Sequence, residues 1–360
     1  MTGAPAPGPD PVVSLPTAGP APDACALMRA EDADFRVEEL MPVTLTGQGE
    51  HLWLQVRKTG WNTAAVADRL ADHYGLRSRD IGMAGLKDRH AVTTQWFSLP
   101  VPIKQAPPDP PDLDGVEWLA MTRHDRKLRR GTHRGNRFEL CLRSVAGDRD
   151  RIEQALARVR DAGVPNYFGA QRFGNGAGNL DLADQLFAGR RMKPAGRSFA
   201  LSAARSHLFN QVLARRVEQG DWNRLLPGEF VCLAGSQSGF QPPDDEIAGD
   251  TLQRRLAEFD IHPSGPLPGR GRPEVAGEVL ALENDVTAPF EAWLAGLVKH
   301  KVDAARRPLR AVVPDLAWDW PDADSLRMRF SLPSGSFATM LVREIIDVTE
   351  PARERPAESA

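Results

Sequence analysis

Hydrophobic and polar residues alternate in DFRVEELM, HLWLQVRKTG, VTTQWFSL and RFELCLRSV, and a period of two is the signature of a half-buried strand. It sets Phe35 and Val37 on one face of the first stretch. In the second, Leu52, Leu54 and Val56 share a side and Trp53, Gln55 and Arg57 take the other; in the fourth, Phe138, Leu140 and Leu142 align. Other stretches repeat every three to four residues and predict helices. WNTAAVADRLADHYG carries the stripe Val66, Leu70, Tyr74, a cap from Asn62 or Thr63, and a stop at Gly75. DRDRIEQALARVRDAG turns Ile152, Leu156 and Val159 inward and closes at Gly163, and LSAARSHLFNQVLARRVEQG aligns Leu201, Ala204, Leu208 and Val212. IGMAGL reads as a short strand or turn. Strands mixed with helices, without regular alternation, predict an α+β fold.

The pattern changes at VPNYFG. Residues 165–309 are richer in helix and in loops such as HPSGPLPGRGRPEVAG, after which LRAVVPDLAW and SLRMRFSLPSGSFATMLVREIID return to the earlier style. This predicts one domain, 25–164 plus 310–348, interrupted by an inserted domain, 165–309. Residues 1–24 hold seven prolines and no Lys or Arg, which reads as a disordered leader and lacks the basic start of a signal peptide. The tail, 349–360, reads the same way.

A net charge of −3 over 360 residues argues mildly against a nucleic-acid partner, but distribution outweighs the sum. RHDRKLRRGTHRGNRF sets Arg123, Arg126, Lys127, Arg129, Arg130, Arg134 and Arg137 against a single Asp125. Most such runs are solvated loops; this one runs straight into a strand, which favours phosphate contact. No apolar run reaches the length of a membrane span. Three cysteines without a CxxC pair and eight scattered histidines point to a reducing, cytoplasmic setting and to no metal site.

Candidate chemistry concentrates in GMAGLKDRHAVTTQW, residues 82–96. Its glycines suggest a tightly bent or closely approached backbone. In an extended segment Lys87 and Arg89 point away from Asp88, leaving the acid facing the opposite side, and both cations favour its ionised form. A generic loop Asp bonds its own turn. An ionised acid presented to a pocket suits a nucleophile or base. In GNRFEL, Asn136 and Phe138 share a side of their strand, an amide beside a ring that suits a nucleobase, or a strand-start Asn beside a core Phe. In SGSFATMLVREI, Ser336 is placed to cap a helix whose first turn holds Phe337. The glycines of NYFGAQRFGNGAGN lack the context of a phosphate loop; a linker carrying Gln171 and Arg172 fits better.

Taken together and in order, AGLKDRHAVTTQWFS, RGNRFEL, VPNYFGAQRFGNGAGNL and LPSGSFATMLVREI resemble the signature blocks of the TruD family of tRNA pseudouridine synthases, and DFRVEE and GEHLWLQVRKTGWNT are similar to it too. The resemblance covers about residues 33 to 348. It implies a pseudouridine-synthase catalytic domain with an antiparallel or mixed sheet, interrupted by a family-specific insertion. It implies conversion of a tRNA uridine, typically uridine-13 in the D-stem region, to pseudouridine without cofactor or metal. Asp88 falls on the catalytic aspartate and Asn136 would orient it. Phe138 and Phe337 would hold the flipped base, and Lys87, Arg89 and the basic strip would lie near the RNA backbone.

Two other classes compete: a non-catalytic RNA-binding protein on the same scaffold, and an aspartate-dependent hydrolase of a small phosphorylated substrate. The second lacks a phosphate cradle or acid cluster beside Asp88. Nothing suggests a coiled coil, so a monomer is the default.

Overall fold

The computed structural model describes residues 11–236 and 238–351, and the chain divides into two compact units. One holds Pro22–Ile152, Val313–Gly335 and the residues from Ile346 on; the other holds the stretch up to Ala21, Glu153–Val312 and Ser336–Ile345. The second unit therefore contains all of 165–309, the segment the sequence reads as an insertion, together with 153–164, 310–312 and 336–345.

The first unit is built on a ten-stranded sheet. Its strands are β1 (Cys25–Met28), β2 (Phe35–Leu40), β3 (His51–Thr59), β4 (Gly82–Met83), β5 (Val92–Pro100), β6 (Val116–His124), β7 (Gly135–Ala146), β8 (Ala317–Asp322), β9 (Ser325–Pro333) and β10 (Asp347–Thr349). The main path is β8-β9-β7-β2-β5-β3-β6, with β4 on β5 and β1 pairing both β7 and β10. Only β2 with β5 and β1 with β10 run parallel, so the sheet is mixed, as expected.

Register aligns five strands across one face. Phe330 opposes Phe138, Phe138 opposes Val37, Val37 opposes Thr93, and Thr93 opposes Lys58. Two residues further along β2, Glu39 opposes Asn136, which opposes Leu332. Period two adds Gln95, opposite Val56, to the same face. The apolar part of that face (Leu52, Leu54, Val56, Phe97, Leu99) shares a core with Val66, Ala67, Leu70 and Ala71 of the Thr63–Tyr74 helix. Gly75 ends that helix in the left-handed conformation, φ 65°, as the sequence predicts. The expected cap is not made: Asn62 makes no side-chain cap bond, and the Thr63 hydroxyl donates to Gln95 Oε1 at 2.9 Å. A partner across the sheet outcompetes the helix's own amide.

In the second unit the long Pro194–Gln219 helix buries Ala203, Phe209, Leu213 and Val217 against Tyr167, Phe168 and Phe173. The NYFGAQRFG stretch, read from sequence as a linker, is thus part of a core, because its three aromatic rings supply the apolar area that a linker lacks. Strands Val231–Leu233, Gly239–Phe240, Ile261–Leu267 and Ala305–Pro308 form a small sheet beside it.

The leader departs from expectation in its described part. Val12 and Leu15 enter the same core, Arg343 donates to the Leu15 carbonyl, and the Ala18 amide donates to Glu344 Oε2 at 2.8 Å. Prolines restrict the unfolded leader, so less entropy is lost when two apolar anchors fix it. The tail, read as disordered from residue 349, also starts ordered, with Thr349 paired to Leu27 in the sheet and Glu350 bound to Arg29; residues 1–10 and 352–360, read as disordered too, lie outside the described residues.

Burial pushes the Glu344 carboxyl up to about 7, against the opposing amide of Ala18. A raised carboxyl favours folding below its unfolded pKa, and that contribution is lost as pH rises through 7. Glu344→Gln keeps an acceptor for Ala18 without the buried charge. It is expected to match wild type near pH 4.5 and to exceed its stability by roughly 2 to 3 kcal/mol at pH 8, measured by denaturant unfolding at both pH values.

Candidate active site

The segment between β4 and β5 carries Asp88 over the polar end of the aligned face, and four tethers fix it there. Lys58, fully buried, reaches up from β3 and donates to the carbonyls of Trp61 at 2.6 Å and Asp88 at 3.0 Å. The Lys87 amide donates to Thr63 Oγ1 at 2.8 Å. The Lys87 ammonium pairs with Glu39 at 2.7 Å, the two side chains being only 7% and 0% exposed. Arg89 Nε donates to the Gly60 carbonyl at 2.9 Å. With residues 87 and 89 tied down, the alternation of the backbone turns the Asp88 carboxylate outward, and its side chain is 56% exposed.

The cation that touches this carboxylate is neither sequence neighbour. Arg29 Nη2 lies 2.8 Å from Asp88 Oδ2, its Nη1 lies 2.8 Å from Glu350 Oε1, and its guanidinium stands 4.0 Å from the centroid of the Phe35 ring. Phe35 meets Phe138 edge-on at 6.2 Å, and Phe138 stacks on Phe330 at 5.3 Å. Asp88 is thereby connected to Phe138 through a cation–π contact and a ring edge. Phe138 itself is only 7% exposed.

Around this cluster the protein leaves polar atoms without partners. Among the described residues, Thr93 Oγ1, Gln95 Nε2, Asn136 Oδ1 and His133 Nδ1 are buried and accept or donate no hydrogen bond. Buried polar atoms are nearly always paired, so these four leave hydrogen-bonding capacity unused in one region. Burial lowers the His133 pKa, with Lys87 adding to the effect, which favours its neutral ring.

The basic strip is clamped to the Asp88 segment. A Cβ on Gly82 would come within 2.4 Å of the Leu128 carbonyl, so only glycine admits the strip there, and the Gly131 amide donates to the Ala84 carbonyl at 2.8 Å. Arg123 is occupied within the protein, donating to the carbonyls of Gly49, Val101, Pro102 and Gln105, and Lys127 donates to that of Arg79. Arg126, Arg129, Arg130 and Arg134 remain exposed. A cavity of about 890 Å³ between His51, Trp53, His124 and Arg126–Arg129 lies along the strip.

Phe337 belongs to the other unit. It occupies the N-cap position of the Ala338–Arg343 helix with extended backbone, φ −119° and ψ 122°, rather than the first turn, and packs edge-on to Phe168 at 6.2 Å. Ser336 does not cap; its hydroxyl donates to Asn166 Oδ1 at 3.0 Å. Among the described residues no cluster of His, Cys, Asp or Glu could hold a metal ion, and no helix is long and apolar enough to cross a membrane.

Comparison with known proteins agrees with the motif order. The family model described as tRNA pseudouridine synthase D (TruD) matches residues 21–190 and 181–345. The chain belongs to the TruD family. A tRNA pseudouridine synthase D of Methylococcus capsulatus is 47% identical over 324 residues, covering 89% of this chain and 90% of that protein. Its counterpart from Hydrogenovibrio crunogenus is 43% identical over 330 residues, covering 91% and 94%. A solved structure from Methanosarcina mazei that carries the same family name superposes with a TM-score of 0.70 at 20% identity, covering 92% of this chain and 95% of that one. This shows the shared α+β fold.

Sequence reasoning in this TruD chain missed Arg29, Glu39, Lys58, Thr63 and Gln95. Two left a signal. Continuing the Leu52, Leu54, Val56 alternation reaches Lys58, and continuing Phe35, Val37 reaches Glu39; a charge in the apolar phase of a strand is a buried, partnered charge. The resemblance places Lys87 near an RNA backbone, whereas its ammonium is buried against Glu39. Its neighbour Arg89 is also held, by the Gly60 carbonyl.

Burial brings the Lys58 ammonium down to about 8, opposed by Asp88 and assisted by Lys87. Because the folded state sheds this proton before the unfolded chain does, wild type gains stability relative to Lys58→Met as pH rises from 8 to 10.5. At pH 7 the variant leaves two carbonyls unpaired. A loss of about 2 to 4 kcal/mol and faster amide exchange at residues 86–90 are expected, checked by denaturant titration and hydrogen exchange.

Proposed function

We propose that this chain isomerises a tRNA uridine to pseudouridine, at uridine-13 in the D-stem region, with Asp88 as the catalytic carboxylate. The observation that carries this reading is the outward-facing Asp88, held by tethers through its own backbone carbonyl and both flanking residues, in a chain of the TruD family. Isomerisation breaks the bond from C1′ to N1, turns the uracil, and joins C1′ to C5. The proton that C5 loses is matched by the one N1 gains. Substrate and product hold the same atoms, so the reaction consumes no co-substrate, and the reading includes no cofactor or metal.

A stem uridine cannot turn in place, so it is extruded at a cost of about a few kcal/mol, offset by stacking worth roughly 1 to 3 kcal/mol per base. In this proposal Phe138 and Phe337 are the rings that hold the base. Asn136, opposite Glu39 in the sheet, has the part of orienting Asp88, and its free amide oxygen is also of the kind the uracil N3–H requires. The carboxylate attacks C1′, adds to C6 or removes the 2′ proton, and each route uses its ionised form. Arg29 holds that charge before substrate arrives. Exposed Arg126, Arg129, Arg130 and Arg134 lie along the RNA backbone, with the enzyme acting as a cytoplasmic monomer. Residues 165–309 are the family-specific insertion.

The test is position-mapped pseudouridine formation in a modification-free tRNA transcript, with wild type and Asp88→Asn. Wild type is expected to convert one D-stem uridine while the variant, still binding tRNA, converts none. Conversion by both removes Asp88 from the chemistry. Binding without conversion by either protein establishes an RNA-binding protein instead.

A further inference from the structure

The second unit holds a cavity of about 410 Å³ whose lining includes Phe168, Arg172, Ser198, Ser202, Arg205 and Ser206, a size within the range of about 300 to 1,000 Å³ typical of small-ligand pockets. Ser198, Ser202 and Ser206 fall four residues apart on the Pro194–Gln219 helix and so share one face. The lining has two guanidinium groups and no carboxylate. Arg172 Nη1 donates to Ser202 Oγ at 3.1 Å, and its guanidinium sits 5.1 Å from the Phe168 centroid. Arg205 donates to the carbonyls of Leu267 and Asp303 at 2.9 and 3.0 Å. The Asp303 carboxylate is near it but is paired with Arg270 at 2.5 Å. Nε of both Arg172 and Arg205 is buried and without a hydrogen-bond partner.

A third guanidinium, Arg307, lies on the same ring, 4.1 Å from the Phe168 centroid, and donates to the Asn166 carbonyl and side-chain oxygens. Its pKa is brought down to about 9, first by burial and then by repulsion from Arg172. Burial lowers Arg172 and Arg205 as well. Arg172 and Arg205 each keep a buried Nε–H without a hydrogen-bond partner, and an oxyanion with several acceptor oxygens answers both the positive lining and the idle N–H groups.

We propose that this cavity is a phosphate-binding site, with Arg172, Arg205 and Ser202 as its donors, and that it receives a backbone phosphate of the RNA substrate. The RNA source rests on the function proposed above; the phosphate chemistry does not.

Two variants test it: Arg205→Gln, and Ser198→Glu, which sets a carboxylate at the exposed rim without removing any internal bond. tRNA binding is measured across a salt series, alongside single-turnover pseudouridine formation at saturating enzyme. In a separate arm, inorganic phosphate is titrated at constant ionic strength while Tm is followed. Both variants are expected to bind tRNA about three- to tenfold more weakly, with a salt slope smaller by about 1, at unchanged single-turnover rate. Phosphate is expected to raise the Tm of wild type and not of Ser198→Glu. A Tm response with an unchanged tRNA slope keeps the phosphate site and assigns it to a free phosphate compound. If wild type neither binds nor converts tRNA, the proposed function fails while the phosphate arm still decides the pocket. No Tm response and no change in slope overturns the proposal.

Discussion

A lysine withdrawn from water holds the site in shape. Lys58 ends the apolar alternation of β3, so its ammonium enters the face that the Thr63–Tyr74 helix covers, and it meets two carbonyls there. One belongs to Trp61, just before that helix, and the other to Asp88. A single cation thus fixes the helix start and the loop of the candidate acid to one strand of a sheet. Its desolvation is costly, and the bonds to carbonyl dipoles offset part of that cost.

Polar groups spread outward from this point along the register. Thr93 lies beside Lys58, Gln95 and Glu39 lie one row over, and Asn136 lies opposite Glu39. Some close on the loop: Glu39 takes Lys87, and Gln95 accepts from Thr63, which in turn accepts from the Lys87 amide. Others keep unpaired atoms, namely Thr93, Gln95 and Asn136. The same patch therefore both stiffens the Asp88 segment and keeps unused hydrogen-bonding capacity. In the proposed reaction the detached base needs fixed partners rather than mobile water.

Charge follows a similar division. The cations nearest Asp88 in sequence are held by the protein, Lys87 by Glu39 and Arg89 by Gly60. The one that touches it, Arg29, arrives from the turn after β1. In the strip, Arg123 and Lys127 brace loops while Arg126, Arg129, Arg130 and Arg134 face solvent. A slightly acidic chain can present a cationic face because its arginines are sorted by fold position rather than by number.

The sequence by itself determined the strands and helices, because period two and period 3.6 are local properties, and it determined the family, because long motif blocks in a fixed order leave few alternatives. It also singled out Asp88, Asn136 and Phe138. What only the tertiary structure decided are the partners. Asp88 and Arg29 lie 59 residues apart, Lys87 and Glu39 48, and no periodicity links residues at such separations. Thr63 and Ser336 read as helix caps, yet each hydroxyl found a partner from another element. A side chain's hydrogen bond goes to whichever group the fold brings near, and that choice is made by packing, not by the neighbours in the chain.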